Sequence, residues 1–181
     1  FQEPMTSLSP VHTMGQQIME AIILHQGVDK AEARRRAIDM LRRVGMPQPE
    51  TTVDSYPHQM SGGMRQRGMI AMALSCSPSL LIADEPTTAL DVTVQHEILD
   101  LLHSLQSDSD MAMILVSHDL PEIFKLCNRV IGFRDGRVVD DGNPYDIFGR
   151  SKVSGKLQFV AEVLKVENED IVDVLTLLIG N

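Results

Sequence analysis

Four apolar residues run directly into two acids in the segment Leu80-Leu81-Ile82-Ala83-Asp84-Glu85. A short apolar run that ends in charge is typical of a buried parallel strand, and open α/β sheets bind ligands at the carboxyl ends of such strands. Asp91 can cap a following helix with an apolar face formed by Val94, Ile98, Leu101 and Leu105. A second buried strand is predicted at 111–116, so the order strand, helix, strand predicts a βαβ unit and a parallel sheet.

The residues before this unit predict a small helical region. Helices are expected at 14–25 and 33–44, the second introduced by Asp29-Lys30-Ala31-Glu32, which has the spacing of a capping box. Gly45 stands where a helix would stop, and the proline-rich residues 46–59 predict irregular structure.

The residues after the βαβ unit predict further strands. A β-hairpin is expected from 130–133 and 137–139 around Asp135-Gly136, and Pro144 is suited to a first helical turn. Asp119 is expected to cap a short helix between the second strand and this hairpin. Two apolar, β-branched runs at 157–166 and 171–179 predict a small accessory β unit.

Composition narrows the classes of ligand. The 181 residues contain 16 Lys and Arg against 25 Asp and Glu, a net charge of −9, which argues against nucleic acid as the main ligand because phosphate backbones call for clustered positive charge.

The longest apolar runs, 69–74 and 175–179, fall far short of the roughly 18 residues of a membrane span. Cys76 and Cys127 have no metal or redox spacing, which is typical of a reducing compartment.

Three short motifs could carry phosphate chemistry. Asp84 could support a magnesium ion through water while Glu85 activates an attacking water. Ser61-Gly62-Gly63 precedes a helix predicted at 64–75, whose N-terminus favours an anion such as a terminal phosphate. His118 directly follows the second strand and could donate a hydrogen bond to a phosphate oxygen. Each motif alone is better explained by a charged strand end, a capped helix or a structural histidine, so their order along the chain carries the interpretation.

Taken in that order, these motifs resemble the nucleotide-binding subunits of ABC transporters. The segment Met60-Ser61-Gly62-Gly63-Met64-Arg65-Gln66-Arg67 is similar to the family signature, and 80–85 is similar to Walker B. Ala89-Leu90-Asp91 resembles the D-loop, His118 the switch histidine, and Phe1-Gln2-Glu3-Pro4 the Q-loop. The amino-acid sequences of 2–8, Tyr56-Pro57-His58-Gln59 and 80–94 are similar to those of importers of peptides and nickel.

This resemblance implies an α/β fold, namely part of a P-loop NTPase (RecA-like) parallel sheet with an ABC helical subdomain, followed by a short C-terminal β-rich segment. The implied domains are the Q-loop and helical subdomain over 1–60, the signature helix with Walker B, D-loop and switch histidine over 61–150, and an accessory β segment over 151–181. A foreign sequence joined by a frameshift or rearrangement is the alternative for the last of these.

The resemblance also implies site roles. Gln2 and Asp84 would support Mg²⁺, Glu85 would be the general base, and His118 would hold the γ-phosphate of ATP. Ser61, Gly62 and Gly63 would bind the γ-phosphate of ATP held by a second subunit, and Asp91 would link the two sites across a dimer.

The implied partners are a second ATP-binding subunit, identical or related, and transmembrane permeases, with an extracytoplasmic solute-binding protein acting indirectly. The chain would then lie peripherally on the cytoplasmic face of the inner membrane. An alternative is a non-catalytic partner that contributes only its signature motif to an intact subunit. A soluble ABC ATPase of DNA repair or translation and a purely structural domain are further alternatives.

One expected motif does not occur in the sequence. The 181 residues contain no Gly-x-x-x-x-Gly-Lys-Ser/Thr loop, since Gly155-Lys156 is followed by Leu157 and has Arg150 in place of the first glycine. The chain is therefore expected to lack the N-terminal lobe with Walker A. Gly68, inside the signature helix, is a second departure, and relative to alanine a glycine there costs about 1 kcal/mol.

Overall fold

The computed structural model describes residues 7–134, 137–150 and 158–163 of the chain. The first half is helical, as predicted. Its described residues form a 3-10 turn at Pro57–Gln59 and the helices α1 (Met14–Gln26), α2 (Lys30–Arg43), α3 (Pro49–Thr52) and α4 (Gly62–Leu74).

Local capping chemistry sets the bounds of these helices. The Gln16 amide N–H donates to Thr13 Oγ1 at 3.3 Å and the Thr13 N–H donates back to Gln16 Oε1 at 2.9 Å, a complete capping box at the start of α1. Gly27 ends α1 in the left-handed conformation with φ 64°. Asp29 caps α2 by accepting the Glu32 N–H at 2.9 Å, so the predicted cap forms there.

The second half contains the sheet and the helices that cover it. The strands are β1 (Leu80–Asp84), β2 (Ala112–Ser117), β3 (Arg129–Arg134), β4 (Arg137–Gly142) and β5 (Gln158–Val163). The helices are α5 (Val92–Ser107), α6 (Leu120–Leu126) and α7 (Pro144–Arg150).

The predicted βαβ unit is present. β1 and β2 pair in parallel from Leu80 opposite Ala112 to Asp84 opposite Val116, and α5 connects them. The hairpin of β3 and β4 is also confirmed, with Pro144 opening α7. The chain is therefore an α/β protein in which helices pack on a sheet with parallel β1 and β2, as the sequence predicted.

The position of β5 was not predicted. The sequence assigned its residues to an accessory unit, whereas β5 lies between β2 and β3 and is antiparallel to both, in the order β1-β2-β5-β3-β4. It follows that β1, β2 and β3 all run in one direction, with their carboxyl ends at a common edge. The second predicted strand, 171–179, lies outside the described residues.

A continuous apolar core joins the helical region to the sheet. Fully buried Met14, Ile18 and Leu41 of α1 and α2 belong to the same cluster as Met113 and Leu115 of β2. The other face of the sheet has a separate small cluster around Ile114 and Ile131. One core thus fixes the strand ends of β1 and β2 relative to α4.

Gly68 has a packing role in this core. A Cβ built on Gly68 would lie 2.4 Å from Met14 Cε and 2.6 Å from Met14 Sδ. Glycine at this position therefore lets α4 approach α1 closely, which gives a physical reason for the departure noted in the sequence. Across the residues described, no helix combines the length and apolar character that a bilayer crossing needs.

Candidate functional site

Acidic and imidazole side chains meet where β1 and β2 end. Asp84 is the last residue of β1, opposite Val116 of β2, and the Glu85 N–H donates to the Val116 carbonyl at 2.8 Å. His118 follows β2 and its Nδ1 lies 3.0 Å from Glu85 Oε1. The structure therefore brings Asp84, Glu85 and His118 to one edge of the sheet.

Glu85 has an unusual backbone conformation. Its φ is 45°, in the left-handed region that residues other than glycine adopt at a cost of order 1–3 kcal/mol. The turn that follows holds it there, because the Thr88 N–H donates to the Glu85 carbonyl at 3.2 Å and Thr88 Oγ1 donates to Glu85 Oε2 at 2.9 Å. The carboxylate is thereby fixed from both sides, with His118 on Oε1 and Thr88 on Oε2.

The contact with Glu85 indicates which nitrogen of the His118 ring carries a hydrogen. A carboxylate only accepts hydrogen bonds, so Nδ1 carries a hydrogen and donates it to Glu85. The neutral ring then has an unprotonated Nε2, which accepts but does not donate. His118 could therefore donate to Glu85 and to a phosphate oxygen at once only as imidazolium. Its side chain is 68% exposed, so Nε2 has access to a ligand.

The Ser61 motif forms the N-terminus of α4. Ser61 is the N-cap and its Oγ accepts the Met64 N–H at 3.3 Å, which leaves its own hydroxyl hydrogen able to donate. Ser61 and Gly62 are exposed and Gly63 is half-buried. The first-turn N–H groups have no helical carbonyl to bind, so this end of α4 can accept an anion.

The two glycines also contact the segment after β1. A Cβ on Gly62 would lie 3.4 Å from Leu90 Cδ2, and one on Gly63 would lie 2.7 Å from Val94 Cγ1. Gly63 is thus required for the close approach of α4 to α5, a structural reason that its motif does not reveal.

Asp91 is the N-cap of α5, as predicted. Its Oδ1 accepts the N–H groups of Thr93 and Val94 at 3.1 and 3.0 Å, and the residue is exposed. The preceding Ala89 is left-handed with φ 64°, so the loop from Glu85 to Asp91 contains two such residues.

The residues at the strand edge suit a hydrated Mg²⁺. This ion is usually held by one or two carboxylates together with water and substrate phosphates, and half-buried Asp84 and Glu85 offer such a donor set. Among the described residues no group of three or more potential metal ligands is found, so a protein-only metal cage is not formed there. Gln2, the other expected magnesium contact, lies outside the described residues.

The structure adds a residue that the sequence did not single out. Glu122 of α6 is 1% exposed and accepts hydrogen bonds from Thr87 and Ser117, which neighbour Glu85 and His118. Burial, with a further contribution from the Glu122 charge, raises the pKa of the nearby Cys127 thiol to about 12. Glutamate in the first turn of a helix usually faces solvent, so this burial could not be predicted from the sequence.

The chain is similar to known proteins in both sequence and structure. A profile described as ABC transporter matches residues 1–88. The dipeptide transport ATP-binding protein DppD of Escherichia coli is 55% identical over 148 residues, which cover 82% of this chain and 45% of that protein. A probable peptide ABC transporter ATP-binding protein of Sinorhizobium fredii is 55% identical over 150 residues, covering 83% of this chain and 45% of its own length.

Solved structures of ABC transporter proteins are also similar to this chain. CbiO1 of Clostridium perfringens, part of the cbiONQ ABC transporter complex, superposes with a TM-score of 0.71 at 31% identity, covering 83% of this chain and 58% of that chain. The ATP-binding cassette MJ0796, in a dimeric post-hydrolysis state bound to ADP and Pi, gives a TM-score of 0.66 at 30% identity, with 80% and 61% covered.

The chain spans about 45% of the length of the curated relatives it matches. The motifs that resemble the family lie between Gln2 and His118 of the sequence. By sequence, residues 1–88 belong to the ABC transporter family, and the chain is similar over most of its length to ATP-binding proteins of peptide importers.

Proposed function

We propose that this chain contributes to ATP binding and hydrolysis in an importer that takes up peptides or a related small solute. The observation that carries the proposal is the 3.0 Å contact of His118 Nδ1 with Glu85 Oε1, beside Asp84 at the ends of two parallel strands. The relatives are named as peptide and dipeptide transport ATP-binding proteins, which supports the class of solute.

In this proposal the strand edge supplies the reacting groups. Each oxygen of a carboxylate has room for a second hydrogen bond, so Glu85 can accept the proton of an attacking water while it keeps its bonds to His118 and Thr88. His118 would direct Nε2 toward the γ-phosphate. Asp84, with Gln2, would hold Mg²⁺, which when bound neutralises charge that develops on the phosphate oxygens.

The N-terminus of α4 would bind a different ATP molecule from the one at the strand edge. Ser61 Oγ and the N–H groups of Gly62 and Gly63 would bind the γ-phosphate of ATP held by a second ATP-binding subunit, identical or related. Asp91 would lie between the two sites, where the cap that it gives to α5 fixes the preceding loop. The signature half of one site and the carboxylates of another would thus belong to one chain.

The proposed arrangement has two regions. Residues 1–60 would form the Q-loop and helical subdomain that docks on transmembrane permeases, and residues 61–150 the nucleotide-facing part. Gln158–Val163 would belong to the nucleotide-facing part, because β5 lies within its sheet. The chain would act peripherally at the cytoplasmic face of the inner membrane, with an extracytoplasmic solute-binding protein as an indirect partner and without nucleic acid.

The first experiment measures ATP turnover by the purified 181-residue chain. The phosphate-binding loop is absent from these residues, so the β- and γ-phosphates lack their backbone cradle and lysine. We expect weak ATP binding and negligible turnover. Measurable turnover that Glu85→Gln abolishes would refute this expectation.

The second experiment mixes this chain with the intact dipeptide transport ATP-binding protein DppD of E. coli. In the mixture this chain would contribute Ser61 to the ATP site of that protein. We expect the mixture to hydrolyse ATP faster than the relative alone, because the N-terminus of α4 completes a site. Ser61→Arg should remove the stimulation by filling the anion site with a long side chain. Ser104→Arg, on exposed α5 surface, is the matched control and should leave it intact. Stimulation that survives Ser61→Arg would contradict the assigned role.

A non-catalytic partner role is the second candidate. It is favoured by an exposed, capped N-terminus of α4 in a sequence without the phosphate-binding loop. Stimulation of the intact relative that survives Glu85→Gln but not Ser61→Arg would indicate this role. A soluble ATPase of repair or translation would instead fail to copurify with membrane permeases.

A further inference from the structure

A buried carboxylate lies next to the Glu85–His118 pair. Glu122 accepts hydrogen bonds at Oε1 from Thr87 Oγ1 and from Gln95 Nε2, the latter at 3.2 Å, and at Oε2 from Ser117 Oγ. Its 1% exposure means that water does not replace these bonds. A buried carboxylate is costly unless its oxygens are satisfied, so its three donors define the position of Glu122.

The hydroxyl donors belong to the two segments that carry the pair. Thr87 lies in the turn that holds Glu85 in its left-handed conformation, two residues after it. Ser117 directly precedes His118 and is itself 3% exposed. One carboxylate therefore joins the turn after β1 to the end of β2.

The same network reaches the start of α5 and the loop before it. Gln95 Nε2 also donates to Asp119 Oδ2 at 2.9 Å, and the Asp119 N–H donates to Ser117 Oγ at 3.0 Å. The Leu90 N–H donates to the Thr87 carbonyl at 3.2 Å. Since Leu90 also lies against Gly62, a chain of contacts connects the N-terminus of α4 with the segment of His118.

We propose that Glu122 is a positioning residue for the Glu85–His118 pair, acting through Thr87 and Ser117, and this rests on the proposed role of that pair in ATP hydrolysis. Glu122 has no contact with the reacting groups. It holds the two segments at the separation that lets His118 Nδ1 donate to Glu85 Oε1.

A glutamine cannot take over this role. An amide offers one acceptor oxygen and one NH2 donor group, whereas Thr87 and Ser117 each donate to a different oxygen of Glu122. Ser117 Oγ already accepts the Asp119 N–H, and Gln95 Nε2 is already shared with Asp119. With its NH2 at the Oε1 position the amide would face the Gln95 NH2, another donor; with its NH2 at the Oε2 position it would face Ser117 Oγ, whose own hydrogen would then lose its acceptor. Either orientation loses one of the three hydrogen bonds that hold the two segments.

The test reads the His118 ring in the full 181-residue chain by NMR of isotope-labelled histidine, without nucleotide. Wild type is compared with Glu122→Gln, with Glu85→Gln as the positive control that removes the direct charge partner of His118. Glu20→Gln, on the exposed surface of α1, is the matched control for the same chemical change. The other five histidines of the chain serve as internal references.

We expect Glu122→Gln to displace the His118 Nδ1 resonance by at least half of the displacement that Glu85→Gln produces. Glu20→Gln should leave that resonance in place, and the five reference histidines should stay within a linewidth in Glu122→Gln. A His118 resonance at its wild-type position in Glu122→Gln would overturn the proposal, even if the variant were less stable. A purely structural Glu122 predicts that result.

A second variant keeps the test decisive if Glu122→Gln does not fold. Thr87→Val removes one donor at nearly constant volume and retains the carboxylate, so it should displace the His118 resonance in the same way. An unmoved resonance in Thr87→Val would overturn the proposal. Because no ATP is present, the positioning result is independent of the proposed function, which would fail instead in the turnover and stimulation assays.

Discussion

Replacing Gly68 by alanine tests whether the core places α4 through its contact with Met14. Alanine in a helix interior is favoured over glycine by about 1 kcal/mol, so an open site would be stabilised. The new Cβ would lie 2.4 Å from Met14 Cε and 2.6 Å from Sδ, and Met14 is fully buried. Overpacking of this kind costs about 2 kcal/mol. We therefore expect Gly68→Ala to lower the free energy of unfolding by about 1 kcal/mol.

The sign should reverse once Met14 is shortened. Met14→Ala alone should cost about 3 kcal/mol through lost burial and a cavity. In that background the Gly68→Ala Cβ enters free space, so only the helix preference remains and the substitution should stabilise by about 1 kcal/mol. The two backgrounds then differ by about 2 kcal/mol, a coupling within the range for residues in direct contact.

Urea unfolding of the four proteins measures this coupling, with thermal unfolding as a check. For a chain of this size 1 kcal/mol corresponds to about 2–4 °C in Tm. If Gly68→Ala stabilises wild type and Met14→Ala equally, Met14 is not the reason for the glycine, and the close approach of α1 and α4 is wrong.

Three other substitutions or treatments have defined outcomes. Gly15→Ala should cost about 3 kcal/mol in urea unfolding, because its Cβ would lie 2.6 Å from the Val53 carbonyl oxygen, which cannot rotate away; a neutral result would contradict the packing of α1. Asp91→Ala should lower stability by about 1 kcal/mol through loss of the α5 cap, whereas Asp91→Ser should retain most of it by thermal unfolding. Iodoacetamide at pH 8 should modify Cys127 about a thousandfold more slowly in the folded than in the urea-unfolded chain, because its pKa is raised to about 12 and thiolate is scarce. Equal rates, followed by mass spectrometry, would argue against burial of this thiol.

The raised pKa of Cys127 also sets the sign of a pH effect. The thiol has an ordinary pKa of 9.0 and a folded pKa of about 12. Below pH 9 both states are protonated and the group contributes nothing to pH dependence. Between these values unfolding releases a proton, so the free energy of unfolding should fall as the pH rises.

Local signals predicted most of the helices and the parallel pair. Asp29 and Asp91 are followed by helices that they cap, and the apolar run that ends at Asp84 is the strand it was expected to be. The edge with Glu85 and His118 could be predicted because parallel strands joined by one helix end on the same side. These features depend on neighbours within a few residues or on a chirality that nearly all such units share.

Other features depend on contacts far along the chain. The apolar, β-branched sequence of β5 indicates a strand but does not indicate which strands it pairs with. Its position between β2 and β3 therefore could not be predicted. The glycine at Gly68 could only be counted as a helix penalty until Met14 was seen against it. The burial of Glu122 follows from Thr87 and Ser117 on two other segments, which its own helix does not reveal.

The order of the sheet has a consequence for synthesis on the ribosome. β5 is the latest of the described strands to emerge, although it separates β2 from β3. Until it arrives, the facing edges of both neighbours have unpaired N–H and C=O groups, which can recruit another nascent chain. Chaperone protection during translation would therefore matter most in the interval between the emergence of β3 and that of β5.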